Sequence, residues 1–113
     1  KNLKDNQTLQ NLTLSLNHIG ISGFRALGQY LNDNFSLTKL NLDGNECGGE
    51  AISQFVQSMT DNTTLTSLNL SSNRLRKEGS SSICELLLHS CGCRLKVLHL
   101  NKNGVTDNDL HQI

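Results

Sequence analysis

The residues best equipped for chemistry lie late in the chain. His89-Ser90-Cys91-Gly92-Cys93 brings an imidazole and two thiols within a few positions of one another, and Cys84 is close by. Imidazoles and thiolates bind zinc, but a zinc site takes four ligands, usually supplied as paired C-x2-C elements. C-x-C with one His falls short of that pattern. The competing reading is an enlarged loop whose cysteines pack as small apolar groups, so no metal and no cofactor are expected. His99 is a candidate general base, a role that needs a pocket and a second group to orient the ring. Lys39, Asp43 and Lys96 are scattered across the repeats, and the residues expected beside His99 are Asn69 and then Asn41. Neither amide orients a base, so the chain is read as a non-enzyme.

Bulk properties narrow the partners. The chain has 113 residues, with 10 Lys and Arg balanced by 10 Asp and Glu. That length suits one small domain. A nucleic-acid module carries a basic excess to neutralise phosphates, so nucleic acid is not an expected partner. No apolar run is long enough to cross a bilayer, and no membrane partner is expected. Lys1–Gln10 lacks the apolar core of a signal peptide. Cys47, Cys84, Cys91 and Cys93 are unevenly placed and do not recur from unit to unit, which speaks against a disulfide framework and for reduced thiols in a cytoplasmic or nuclear protein. Sequons at Asn6, Asn11, Asn34, Asn62 and Asn69 would ordinarily suggest secretion. Three of them fall at one position of the repeat, however, so the repeat itself generates them.

What must position any functional residue is that repeat. The stretches LQNLTLSLNHI, LTKLNLDGNEC, LTSLNLSSNRL and LKVLHLNKNGV begin at Leu9, Leu37, Leu65 and Leu95, spaced 28, 28 and 30 apart. All read L-x-x-L-x-L-x-x-N-x-(apolar), with Asn17, Asn45, Asn73 and Asn103 in one column and Ile19, Cys47, Leu75 and Val105 in the next. An amphipathic helix follows in each unit, marked by Phe24, Leu27 and Leu31, by Ile52, Phe55 and Met59, and by Ile83 and Leu87, with Ser80 in the first place of the third set. Asp-Asn joins link the units at positions 33–36 and 61–64, and Asp5-Asn6-Gln7-Thr8 repeats them, so that Leu3 matches Leu31 and Met59. The expected organisation is the tail of a preceding repeat (1–8), full repeats at 9–36, 37–64 and 65–94, and a partial one at 95–113. A window from a longer array, with neighbouring repeats as partners, is therefore expected.

The pattern resembles the leucine-rich repeat, and in unit length and helix content the ribonuclease-inhibitor-like subfamily. Gly23 and Gly79 fall where that subfamily favours glycine before the helix, whereas Ala51 and Asp109 depart from it. The resemblance spans essentially the whole chain. It implies an α/β fold, a right-handed α/β solenoid forming a segment of a horseshoe, with parallel strands on the concave face and helices on the convex face. Elementary geometry agrees: strands pack about 4.8 Å apart and helices about 10 Å apart, so a stack of such units must curve toward its strands.

Side chains alternate along a strand. With the leucines inward, the concave face is expected to carry Asn11, Thr13 and Ser15; Lys39, Asn41 and Asp43; Ser67, Asn69 and Ser71; and Val97, His99 and Asn101, with Leu16, Gly44, Ser72 and Lys102 at its rim. The Asn column is expected to be a structural ladder that satisfies turn backbone groups. Glu46 and Arg74 share a repeat position and should pair. Arg74, Arg76 and Lys77 are a weaker candidate for partner binding, as a basic knob on the ascending loop. Tyr30, Ser58 and Leu86, with Leu88, are expected as a small apolar ridge on the outer helix face. A polar, nearly neutral face suits a protein partner. The expected function is protein–protein interaction; the alternatives are a regulator of an enzyme or GTPase and a structural spacer.

Overall fold

Three-residue strands form where Leu-x-Leu alternation is bracketed by turns. The computed structural model describes residues 7–89, 94–101 and 103. Strands β1 (Asn11–Thr13), β2 (Lys39–Asn41), β3 (Ser67–Asn69) and β4 (Val97–His99) alternate with helices α1 (Ile21–Asp33), α2 (Gly49–Ser58) and α3 (Arg76–His89). The strands make one open parallel sheet in the order β1-β2-β3-β4. Parallel neighbours need a crossover, and each helix provides one. The register follows the repeat: Leu12 lies beside Leu40, Leu40 beside Leu68 and Leu68 beside Leu98.

The core is a leucine spine closed by the helices. Leu37, Leu42, Leu68, Leu70 and Leu75 are fully buried, together with Phe24, Leu31, Ile52, Phe55 and Ile83. Phe24 meets Phe55 edge to face, with ring centres 5.8 Å apart and planes at 86°, the arrangement that aromatic quadrupoles favour. Ser80, the polar exception in its column, is also fully buried. Its hydroxyl donates to the Lys77 carbonyl at 2.9 Å, so its polar atom is not left unpaired.

Two expectations about the helices are corrected. Tyr30 and Leu86 do not form an outer ridge: they are 7% and 2% exposed. Adjacent helices stack along the solenoid, so each buries a flank as well as the stripe facing the sheet, a wider apolar arc than a lone surface helix needs. Ser58, in the same column, is half-buried against Gly28, where an added Cβ would come within 2.5 Å of the Ser58 Cβ. Leu88 remains exposed. The second correction concerns glycine. Gly23 and Gly79 lie inside α1 and α3 rather than before them. A Cβ on Gly23 would sit 2.5 Å from the Ile19 Cγ2, and one on Gly79 would sit 2.7 Å from the Leu75 Cβ. In the middle unit the smaller Cys47 stands in the Ile19/Leu75 column, and the position four residues later is Ala51, fully buried. The departure at Ala51 is therefore a trade of volume between two positions. Asp109 lies outside the described residues.

The turns after β1, β2 and β3 are built on left-handed residues at fixed places: Leu16 and His18, Gly44 and Glu46, Ser72 and Arg74. Reversal at His18 aims the N–H groups of Asn17 and Ile19 at one point, and the Asn45 Oδ1 accepts both, at 2.9 and 3.2 Å. The Asn103 Oδ1 does the same for Asn73 and Leu75, at 2.6 and 3.3 Å. The Asn73 Oδ1 accepts from the Asn45 N–H at 3.1 Å. The amide nitrogens donate to strand-end carbonyls: Asn45 to Leu14 and Leu42, Asn73 to Leu42 and Ser71, Asn103 to Leu70. Asn17, at the first turn, is exposed, and its Nδ2 donates to the Ser15 carbonyl.

Candidate functional site

The strand face is set by register. Asn11 lies beside Lys39, Lys39 beside Ser67 and Ser67 beside Val97, and one step along the strands Thr13, Asn41, Asn69 and His99 form a second row. Asn11, Thr13, Lys39, Val97, His99 and Asn101 are exposed, while Asn41, Ser67 and Asn69 are half-buried. The face carries a hollow of about 340 Å³, lined by Lys39, Asn41, Ser67, Asn69 and His99 together with the side chains of β1 and the edge of Leu40.

The third row behaves differently. Ser15 and Asp43 are half-buried at the start of the turns, and Ser71 is only 7% exposed. The Ser71 hydroxyl accepts from the Asn101 N–H at 3.1 Å, so this residue, expected on the contact surface, is occupied in holding adjacent repeats together. At the rim, Leu16 is 74% exposed and its side chain lies over Gly44, where a Cβ would come 2.5 Å from the Leu16 Cδ2. Lys102 lies outside the described residues.

Asn41 and Asn69 have a definite polarity. The Asp43 N–H lies 2.9 Å from the Asn41 Oδ1, and the Ser71 N–H lies 2.9 Å from the Asn69 Oδ1. A backbone N–H can only donate, so the oxygen of each amide must face it and the NH2 group is left over. His99 has Asn69 as its strand neighbour, and no carboxylate lines the hollow. Among the described residues the hollow brings together amides, hydroxyls, one lysine and one histidine, with no carboxylate beside His99 to orient its ring.

The ascending side is less basic than its composition. Arg74 pairs with Glu46 at 3.7 Å, both side chains largely in solvent. Arg76 and Lys77 belong to the first turn of α3 rather than to a loop, beside Glu78. A depression of about 370 Å³ between the starts of α2 and α3 is lined by Gly48, Gly49, Arg74, Leu75, Arg76 and Glu78. Cys47 is half-buried beneath this region, and burial pushes its thiol up to about 11. The His89 side chain, Cys91 and Cys93 lie outside what the structure describes, and among the described residues no group of His, Cys, Asp or Glu is placed to hold a metal.

One set of buried polar residues escaped sequence reasoning. Asn34 and Asn62 are 1% and 5% exposed. The Asn34 Oδ1 accepts from the Ser36 and Leu37 N–H groups, and the Asn62 Oδ1 from those of Thr64 and Leu65. The Asn62 Nδ2 donates to the Leu31 carbonyl at 2.6 Å. This is a second ladder where helices return to strands. Its signal was the recurrence of the Asp-Asn join, the same recurrence that made sequons.

The "Leucine Rich repeat" family model matches residues 5–28, 33–55 and 61–84, more than half of the chain. Among solved structures, one titled "Leiomodin-1 Actin-Binding Site 2 (ABS2)" superposes with a TM-score of 0.82 at 22% identity, over 97% of this chain and 62% of that one. At that identity the likeness is one of fold, and this chain spans less than two thirds of that structure's length. No curated protein matches the chain significantly. Three matched repeats, an open parallel sheet and helices in every crossover agree: the chain belongs to the leucine-rich repeat family.

Proposed function

We propose that the chain is a non-enzymatic protein-interaction module that presents its strand face, with the ascending turns as a rim, to a protein partner. The observation that carries this is the hollow on the strand face. Side chains from four strands meet there on a backbone locked by ladders at both ends. Rigid presentation of this kind avoids most of the ordering cost of association. A structure on the same fold is titled for an actin-binding site, which supports a protein as the class of partner. The ribonuclease-inhibitor-like form of the repeat belongs to the same reading and rests on the 28–30-residue units with full helices. A cytoplasmic setting is also part of it, resting on cysteines that do not recur from unit to unit. The test is crosslinking mass spectrometry on the full-length protein, wild type against Lys39→Glu/His99→Glu. Partner crosslinks near the sheet should disappear in the variant; an unchanged partner set would mean that this face is not the contact surface.

A further inference from the structure

The middle row of the strand face is chemically one-sided. We infer that Asn41 and Asn69, with Lys39 and His99, form a hydrogen-bond donor strip for a carboxylate-bearing, acidic segment of the protein partner. The inference rests on the interaction reading above and adds the chemistry of what is bound.

The amide orientations carry it. Each Oδ1 is held by its own backbone N–H two residues on, and neither Nδ2 has an acceptor among the described residues. Two half-buried NH2 groups therefore point out of adjacent strands, paired in register. Adjacent strands lie about 4.8 Å apart, close enough for the two oxygens of one carboxylate to accept from both. Lys39 lies on the same face two residues before Asn41, about 6–7 Å along the strand, and brings a positive charge. His99 extends the row beyond Asn69. A ring nitrogen, an ammonium and two amides all donate, while Thr13 and Ser67 hydroxyls adapt to either role. Hydrogen bonds from such donors to a charged acceptor are among the stronger kind. Asp43, the acid nearest in sequence, does not line the hollow.

The size of the strip favours a peptide. Four strands are crossed by about 14 Å of chain, or four to five extended residues, whose alternate side chains meet the face. A nucleic-acid backbone would bring a run of phosphates that wants several cations, and the hollow supplies one lysine in a chain with no net charge.

The test titrates the full 15N-labelled chain with hexa-aspartate and, separately, hexa-asparagine in low-salt buffer. The side-chain NH2 signals of Asn41 and Asn69 are followed. Hexa-aspartate should shift both, and hexa-asparagine should shift neither. Asn41→Asp/Asn69→Asp keeps the oxygen that accepts the backbone N–H, so the fold is retained, and replaces each free donor by an acceptor. It should weaken hexa-aspartate binding by about tenfold or more. Equal shifts with both peptides, or shifts confined to the Arg74–Lys77 segment, would overturn the inference. Crosslinking the same variant to the natural partner separates the two readings. If Lys39→Glu/His99→Glu abolishes the contact and Asn41→Asp/Asn69→Asp leaves it intact, the donor strip is wrong and the interaction surface stands. If neither variant changes the contact, both are wrong.

Discussion

Asn73 is the residue on which the turn ladder is best tested. Its side chain is fully buried. The Nδ2 donates to the Leu42 carbonyl at 2.8 Å and the Ser71 carbonyl at 3.1 Å, and the Oδ1 accepts from the Asn45 N–H at 3.1 Å. Truncation to alanine does not strand all of these groups. The Leu42 carbonyl keeps the Asn45 Nδ2 at 2.8 Å, and the Ser71 carbonyl keeps the Gly44 N–H at 2.9 Å. The Asn45 N–H is left without a listener in the interior. One stranded buried donor costs about 1–3 kcal/mol, and the small void adds to it, so Asn73→Ala should lose about 2–3 kcal/mol. Asn17→Ala is the control. It removes a single bond to the Ser15 carbonyl at an exposed turn and should cost at most about 0.5 kcal/mol. Urea denaturation followed by circular dichroism reads both. With a slope of about 2 kcal/mol/M, Asn73→Ala should lower the midpoint by about 1 M. The account is refuted if Asn73→Ala stays within about 0.5 kcal/mol of wild type, or if the two variants cost the same.

Other consequences are as concrete. Gly79→Ala drives a Cβ to 2.7 Å from the Leu75 Cβ and should destabilise by about 1–3 kcal/mol. In a Leu75→Cys background, which copies the Cys47/Ala51 pairing, the same change should be milder by about 1 kcal/mol. Additive losses in that double-mutant cycle would disprove the volume trade. The Cys47 thiol, raised from 9.0 to about 11 by burial, holds about a hundredth of an ordinary thiol's thiolate at pH 8, so alkylation by iodoacetamide should be about a hundredfold slower than for a model peptide. The rate should climb as pH rises toward 11, and mass spectrometry after digestion reads it; a rate close to the peptide's would contradict the assigned burial. Arg74→Ala breaks an ion pair whose side chains are 60% and 56% exposed. Thermal melts should place that variant within about 0.5 kcal/mol of wild type.

The spine and the strand register were legible because a fixed period makes each leucine column repeat its own address. The Arg74–Glu46 pair and the Asn41–Asn69–His99 row follow from the same arithmetic. What the period hides is the difference between facing solvent and facing the next helix. Tyr30 and Leu86 lie off the stripe that meets the sheet, and only the stacking of helices shows that their flank is covered too. Asn34 and Asn62 were visible as a recurring triplet, but a triplet carries no burial, and its reading as a by-product of the repeat concealed a second ladder. The donor polarity of Asn41 and Asn69 was beyond any pattern, because it depends on which amide atom the backbone occupies.

The turn ladder also has a direction. Asn45 completes the turn of the unit before it, Asn73 serves the unit of Asn45, and Asn103 serves that of Asn73. At the joins, Asn62 likewise reaches back to Leu31. A chain made from its N-terminus onward therefore produces each unit with its turn N–H groups still open and closes them only when the following asparagine arrives. Each turn whose bonds are described is completed by the repeat that follows it, so a repeat gains its closed turn from its successor and not from itself.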